Sequence, residues 1–72
     1  MTAMTLTEIA AGYRENAKRL RKKAAEYRRL ADEEYTPSEE RRRLRRKANI
    51  LLDIAADNIA TAEMLEHYYD KL

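Results

Sequence analysis

The chain has 72 residues, 15 of them Lys or Arg and 13 Asp or Glu, for a formal net charge of +2. That length allows one domain, and the absence of cysteine excludes a disulfide scaffold and a thiolate metal site. Val, Phe and Trp are missing and Gly and Pro occur once each, so strands and tight turns have little to be built from. Ala, Leu, Glu, Lys and Arg dominate, which is the composition of long helices, and an all-α fold is expected. No apolar run approaches the ~18 residues of a membrane span. Met1-Thr2-Ala3-Met4 lacks the basic and apolar regions of a signal peptide, so a cytoplasmic location and no membrane partner are expected.

In chain order, Thr5-Leu6-Thr7-Glu8 has the S/T-x-x-E spacing of a capping box and marks the first helix start. Ala10, Ala17, Ala24 and Ala31 then recur every seventh residue, with Leu6, Tyr13, Leu20 and Tyr27 between them. Steps of 3 and 4 residues place the two series on one stripe, the a and d positions of a heptad. Gly12 falls at an outer c position, where it costs ~1 kcal/mol relative to Ala without breaking the helix. The helix is expected to end near Tyr35. Thr36-Pro37-Ser38-Glu39 reads as a second capping box with Pro at the first helical position, so the turn is expected over 36–38. The second helix is expected from about Ser38 to Asp70. Its a series is Ala48, Ala55 and Ala62, continued by Tyr69; its d series is Leu44, Leu51, Asn58, Leu65 and Leu72.

Two helices of ~30 residues, each ~45 Å long, joined by so short a connection must lie antiparallel. Folding near residue 36 pairs Ala10 with Ala62, Ala17 with Ala55 and Ala24 with Ala48. It also brings Leu6 near Leu65, Leu20 near Leu51 and Tyr27 near Leu44. The expected fold is a single domain over 1–72: an antiparallel two-helix hairpin on Ala/Leu heptads. Tyr13 and Tyr27 read as core residues whose hydroxyls reach the rim.

One seam does not use all the apolar residues of the second helix. Ile50, Leu52, Ile54 and Ile59 lie outside a and d, at c, e, g and e, and nearly encircle the helix with Leu51 and Ala55. A second copy of the chain would bury them, so a homodimer closing into a four-helix bundle is expected, with these four residues at its interface. Asn58 sits at d inside this zone, either fixing register or rotated to the edge beside Asp57.

Charge is unevenly placed. Residues 14–47 hold 14 of the 15 basic side chains. Arg14, Arg21 and Arg28 line the e edge of the first helix, and Arg41, Arg42, Arg43, Arg45, Arg46 and Lys47 open the second. Such an array can track the phosphates of RNA or DNA without reading sequence, which makes an acidic macromolecule a candidate partner, with Arg14, Arg21, Arg28, Arg41, Arg42, Arg45 and Arg46 as candidate contacts. The same charges can instead pair with one another. Asp32, Glu33 and Glu34 face Arg41–Arg43 across the turn, and Glu15–Arg19, Lys22–Glu26 and Glu39–Arg43 are i,i+4 pairs. No aromatic residue interleaves the Arg/Lys run as a base-stacking surface needs.

Glu63 and His67 share a helix face, but a third metal ligand is not evident. With one His, one Gly and no Cys, no catalytic constellation or phosphate loop is present, so no enzyme, cofactor or small-molecule substrate is expected. The heptads from Ala10/Tyr13 through Ala62/Leu65 around one turn resemble those of the Rop-type plasmid RNA-binding proteins. The resemblance is one of architecture; it implies a dimeric four-helix bundle and adds weight to RNA binding, and it carries no functional residue over. The function expected first is a small non-enzymatic interaction or regulatory protein, homodimeric and with charged outer faces. The alternatives are a nucleic-acid-binding regulator using the basic face near the turn, and a subunit completing the helical bundle of a larger complex.

Overall fold

The computed structural model describes residues 5–70, and side chains as far as Tyr68; the places foreseen for Tyr69 and Leu72 in the heptads lie outside the described side chains. The described residues form two helices, α1 over Leu6–Ala31 and α2 over Ser38–Asp70, packed against each other, with no strand among them. Helix α1 begins where the capping signal places it. Thr5 has extended backbone, and its Oγ1 accepts from the Glu8 amide at 3.1 Å.

The far end of α1 differs from the sequence expectation. The helix stops at Ala31, four residues before Tyr35, and the connection spans 32–37 instead of 36–38. The carbonyls left over find partners that end the helix. The Thr36 hydroxyl donates to the Leu30 carbonyl at 2.8 Å, and Arg41 Nε donates to the Ala31 carbonyl at 2.7 Å. Thr36 therefore serves the end of α1, not the second capping box foreseen for the start of α2. The first bond of α2 runs instead from the Arg41 amide to the Pro37 carbonyl at 2.8 Å.

The alanines form the whole of the buried interior. Ala10, Ala17, Ala24, Ala31, Ala48, Ala55 and Ala62 are each at most 1% exposed, and among the described residues no larger side chain is fully buried. A methyl group at the a positions Ala10 to Ala31 and Ala48 to Ala62 lets the two backbones meet closely. Each contributes only ~0.8 kcal/mol of burial, against ~1.5–3 kcal/mol for a fully buried branched side chain. The d residues Leu6, Leu20, Tyr27, Leu44, Leu51, Asn58 and Leu65 are half-buried, and Tyr13 is exposed. They flank the seam without being enclosed by it.

Replacing Ala17 by Leu forces four carbons into a space filled by one methyl. We expect a loss of about 1–3 kcal/mol in urea unfolding, while Ala25→Leu on the exposed side of α1 stays within about 0.5 kcal/mol. Equal effects at the two sites would contradict the close seam.

Candidate functional site

The contacts across the seam show which rows share a side. On one side Arg14 Nε meets Glu66 Oε1 at 2.7 Å, Arg28 donates to Asn49 Oδ1 at 3.4 Å, and Arg45 meets Asp32 at 3.1 Å. These are the e and b rows of both helices. On the other side the Lys47 ammonium stands 5.8 Å from the centre of the Tyr27 ring, within cation–π range, and Leu30 and Leu44 line one depression with Tyr35 and Pro37. These are the d and g rows. The hairpin therefore has a charged face and an apolar face, back to back.

The apolar face is long and incompletely covered. From α1 it takes Leu6, Ile9, Tyr13, Leu20, Tyr27 and Leu30. From α2 it takes Leu44, Leu51, Ile54, Asn58, Leu65 and Tyr68, by the 100° step between successive helical residues. Ile54 is 43% exposed and Tyr68 61%, and Ile50 and Met64 extend the face outward at 52% and 65%. The Asn58 amide nitrogen is buried among these residues with no hydrogen-bond partner among the described residues.

The four residues expected at one interface do not share a side. Ile50 and Ile54, four apart, belong with the apolar face. Leu52 and Ile59, seven apart at e, lie half-buried on the charged face beside the Arg14–Glu66 row. One flat partner surface cannot reach all four.

The seven arginines considered for nucleic acid are also dispersed. Arg41 lies half-buried with its guanidinium at three main-chain carbonyls, those of Ala31 (2.7 Å), Glu33 (3.3 Å) and Thr36 (3.5 Å), and so ties α2 to the end of α1. Sequence reasoning missed this role, though a signal existed: Arg41 is seven residues before Ala48 and takes the a position opposite Ala31. Arg14, Arg28 and Arg45 have the partners given above. The hydrogen bond to Glu66, then the charge of that carboxylate, and less the charge of Glu63, raise the Arg14 pKa against some desolvation, so Arg14 remains charged.

Arg21, Arg42 and Arg46 have no ion pair or side-chain hydrogen bond among the described residues. Arg21 stands on the charged face, whereas Arg42 and Arg46 line a depression on the outer surface of α2 with Arg43 and Glu39. Of the intrahelical pairs expected, Glu15–Arg19 forms at 4.0 Å; an unforeseen pair, Arg29–Glu33, forms at 3.6 Å across the end of α1. Lys22–Glu26 and Glu39–Arg43 do not close to ion-pair distance among the described residues. No group of three metal-binding side chains is found among the described residues, and no helix is long and apolar enough to cross a membrane.

Comparison with protein-family models, with curated proteins and with solved structures finds no match to this chain.

Removing the Arg41 guanidinium leaves carbonyls at the end of α1 without their donor. Arg41→Met is expected to cost about 1–3 kcal/mol by chemical denaturation, and Arg42→Met no more than about 0.5 kcal/mol. Indistinguishable midpoints for the two variants would remove the clamp.

Proposed function

We propose that the protein is a non-enzymatic interaction protein that works as a homodimer. Two hairpins stack their apolar faces into a four-helix bundle and present their charged faces outward to another macromolecule. The observation that carries this reading is the apolar d/g face, uncharged from Leu6 to Leu20 on α1 and from Leu51 to Tyr68 on α2. It holds branched and aromatic side chains from both helices, yet among the described residues the protomer encloses nothing larger than alanine. Exposed apolar faces of this extent mark interaction sites. A second copy supplies a surface of matching length and spacing. The interface runs through Leu51, Ile54 and Ile50; Leu52 and Ile59 stay on the outward side.

Sedimentation equilibrium is expected to give twice the 8.5 kDa chain mass. Ile54→Glu places a charge in the middle of the face and is expected to return the protein to one chain mass or unfold it, whereas Arg46→Glu leaves the dimer intact. A folded wild-type monomer at high concentration argues against the proposal.

The unpaired group Arg42, Arg43 and Arg46 favours a second reading, in which the outward partner is RNA or DNA bound through its phosphates. A gel-shift titration with mixed RNA and DNA at two salt concentrations tests it. A shift that weakens with salt and with Arg42→Gln plus Arg46→Gln is expected if that reading holds; no shift at micromolar protein removes it.

A further inference from the structure

Arg14, Arg21 and Arg28 recur every seventh residue along the charged edge of α1, but only the outer two find an acceptor across the seam. Arg14 meets Glu66 and Arg28 meets Asn49. The helices run antiparallel, so a step of seven residues toward Arg21 from either contact moves seven the other way along α2. From Asn49 that step reaches Ala56, and from Glu66 it reaches Ile59. Arg21 therefore stands where α2 offers only hydrocarbon. Stepping likewise from the Asp32–Arg45 pair sets Ala25 at the level of Leu52, and then Lys18 at the level of Ile59. Leu52 and Ile59 are half-buried; Ala25 and Ala56 are exposed. Neither Lys18 nor Arg21 has an ion pair or side-chain hydrogen bond among the described residues.

Resting on the reading that the charged face is turned to another macromolecule, we infer that the middle of this face docks an acidic amphipathic helix of a partner protein. At both ends of the face opposite charges are paired, Arg45 with Asp32 and Arg14 with Glu66. The stretch between them combines an apolar strip with unpaired charge of one sign. Leu52 and Ile59, two turns apart, form one apolar row, the kind of row an amphipathic helix packs against. Ala25 and Ala56 flank it with single methyl groups, so a third helix can approach to the ~8–10 Å of packed helices. Arg21 and Lys18 stand at the border, where they receive carboxylates from the polar edge of that helix. From Asn49 to Glu66 α2 rises ~25 Å, which an incoming helix of about 17 residues spans.

Nucleic acid fits this stretch less well. Phosphates gain nothing from Leu52 and Ile59, and no aromatic residue stands on these rows between the two ion pairs to stack a base. The unpaired Arg42, Arg43 and Arg46 lie elsewhere, on the outer surface of α2.

The probe is a synthetic helix of about 17 residues with Leu and Ala on one face and Glu on the other, followed by methyl-resolved NMR and fluorescence anisotropy. The Leu52 and Ile59 methyl signals are expected to shift, while Leu51 and Ile54 on the opposite face stay in place. The same peptide with Lys in place of Glu is expected not to bind. Ala56→Glu offers Arg21 an acceptor within the chain at an exposed position; it is expected to keep the circular dichroism of the wild type and to weaken peptide binding about tenfold. Unchanged affinity in that variant, equal binding of the Lys peptide, shifts confined to Leu51 and Ile54, or no binding at about 1 mM peptide each overturns the inference. Leu52→Ser separates the partner classes. It is expected to weaken the peptide and to leave any RNA or DNA shift unchanged, whereas an RNA shift lost in Ala56→Glu, from a protein that ignores the peptide, assigns the face to phosphates and overturns the inference. Sedimentation keeps the underlying reading distinct: a dimer that survives Ile54→Glu but is lost in Ala56→Glu puts the charged face between copies and removes both.

Discussion

Two backbones held together through methyl groups set the rest of this molecule. Because every fully buried side chain among the described residues is an alanine, the helices approach closely, and the d residues are squeezed to one side of the contact instead of being enclosed. The e residues go to the other side. The close seam thus turns a helix pair into a slab with two unlike faces. One carries Leu, Ile and Tyr at half exposure; the other carries Arg14, Arg28, Arg45, Asp32, Asn49 and Glu66 in cross-seam pairs. The proposed assembly follows from that division. A slab with one apolar side needs a cover, and a second slab of the same length fits.

Polar contacts add orientation more than stability. Ion pairs as exposed as Arg14–Glu66 and Arg45–Asp32 are worth ~0–1 kcal/mol. Their use is to fix which edge of α1 meets which edge of α2. Arg41 differs from them because its acceptors are main-chain carbonyls at a helix end, where an alternative partner is otherwise water. It makes the six-residue connection a fixed element and sets the level at which the two a series begin to match. Ala31 and Arg41 form the last rung of a ladder whose other rungs are alanine pairs.

Much of the fold was legible because its signal is periodic. Seven alanines at a strict interval specify the stripe, and one Pro between two such runs specifies the reversal; all seven are buried as their positions require. Local chemistry was less legible. Thr36 fits a capping box by spacing, but its hydroxyl serves Leu30, because a side chain in a connection can reach either helix end. The end of α1 was placed too late because spacing does not show that Thr36 and Arg41 supply donors to the Leu30 and Ala31 carbonyls. The grouping of Ile50, Leu52, Ile54 and Ile59 counted apolar residues without dividing them by face. The close a seam turns c and g one way and e the other. The basic run Arg41–Lys47 looks uniform in sequence, yet the fold gives Arg41, Arg45 and Lys47 intramolecular partners and leaves Arg42, Arg43 and Arg46 outward.

The central claim is that the methyl seam alone does not make a complete core, so that folding and covering of the apolar face are one event. The concentration dependence of the urea midpoint tests this most directly. If the face is covered by a second copy, the midpoint rises steadily with protein concentration, and circular dichroism and sedimentation report the same transition. A midpoint that stays constant over a hundredfold range of concentration, for a chain that is helical and one chain mass throughout, would show that seven alanines suffice and would contradict the claim.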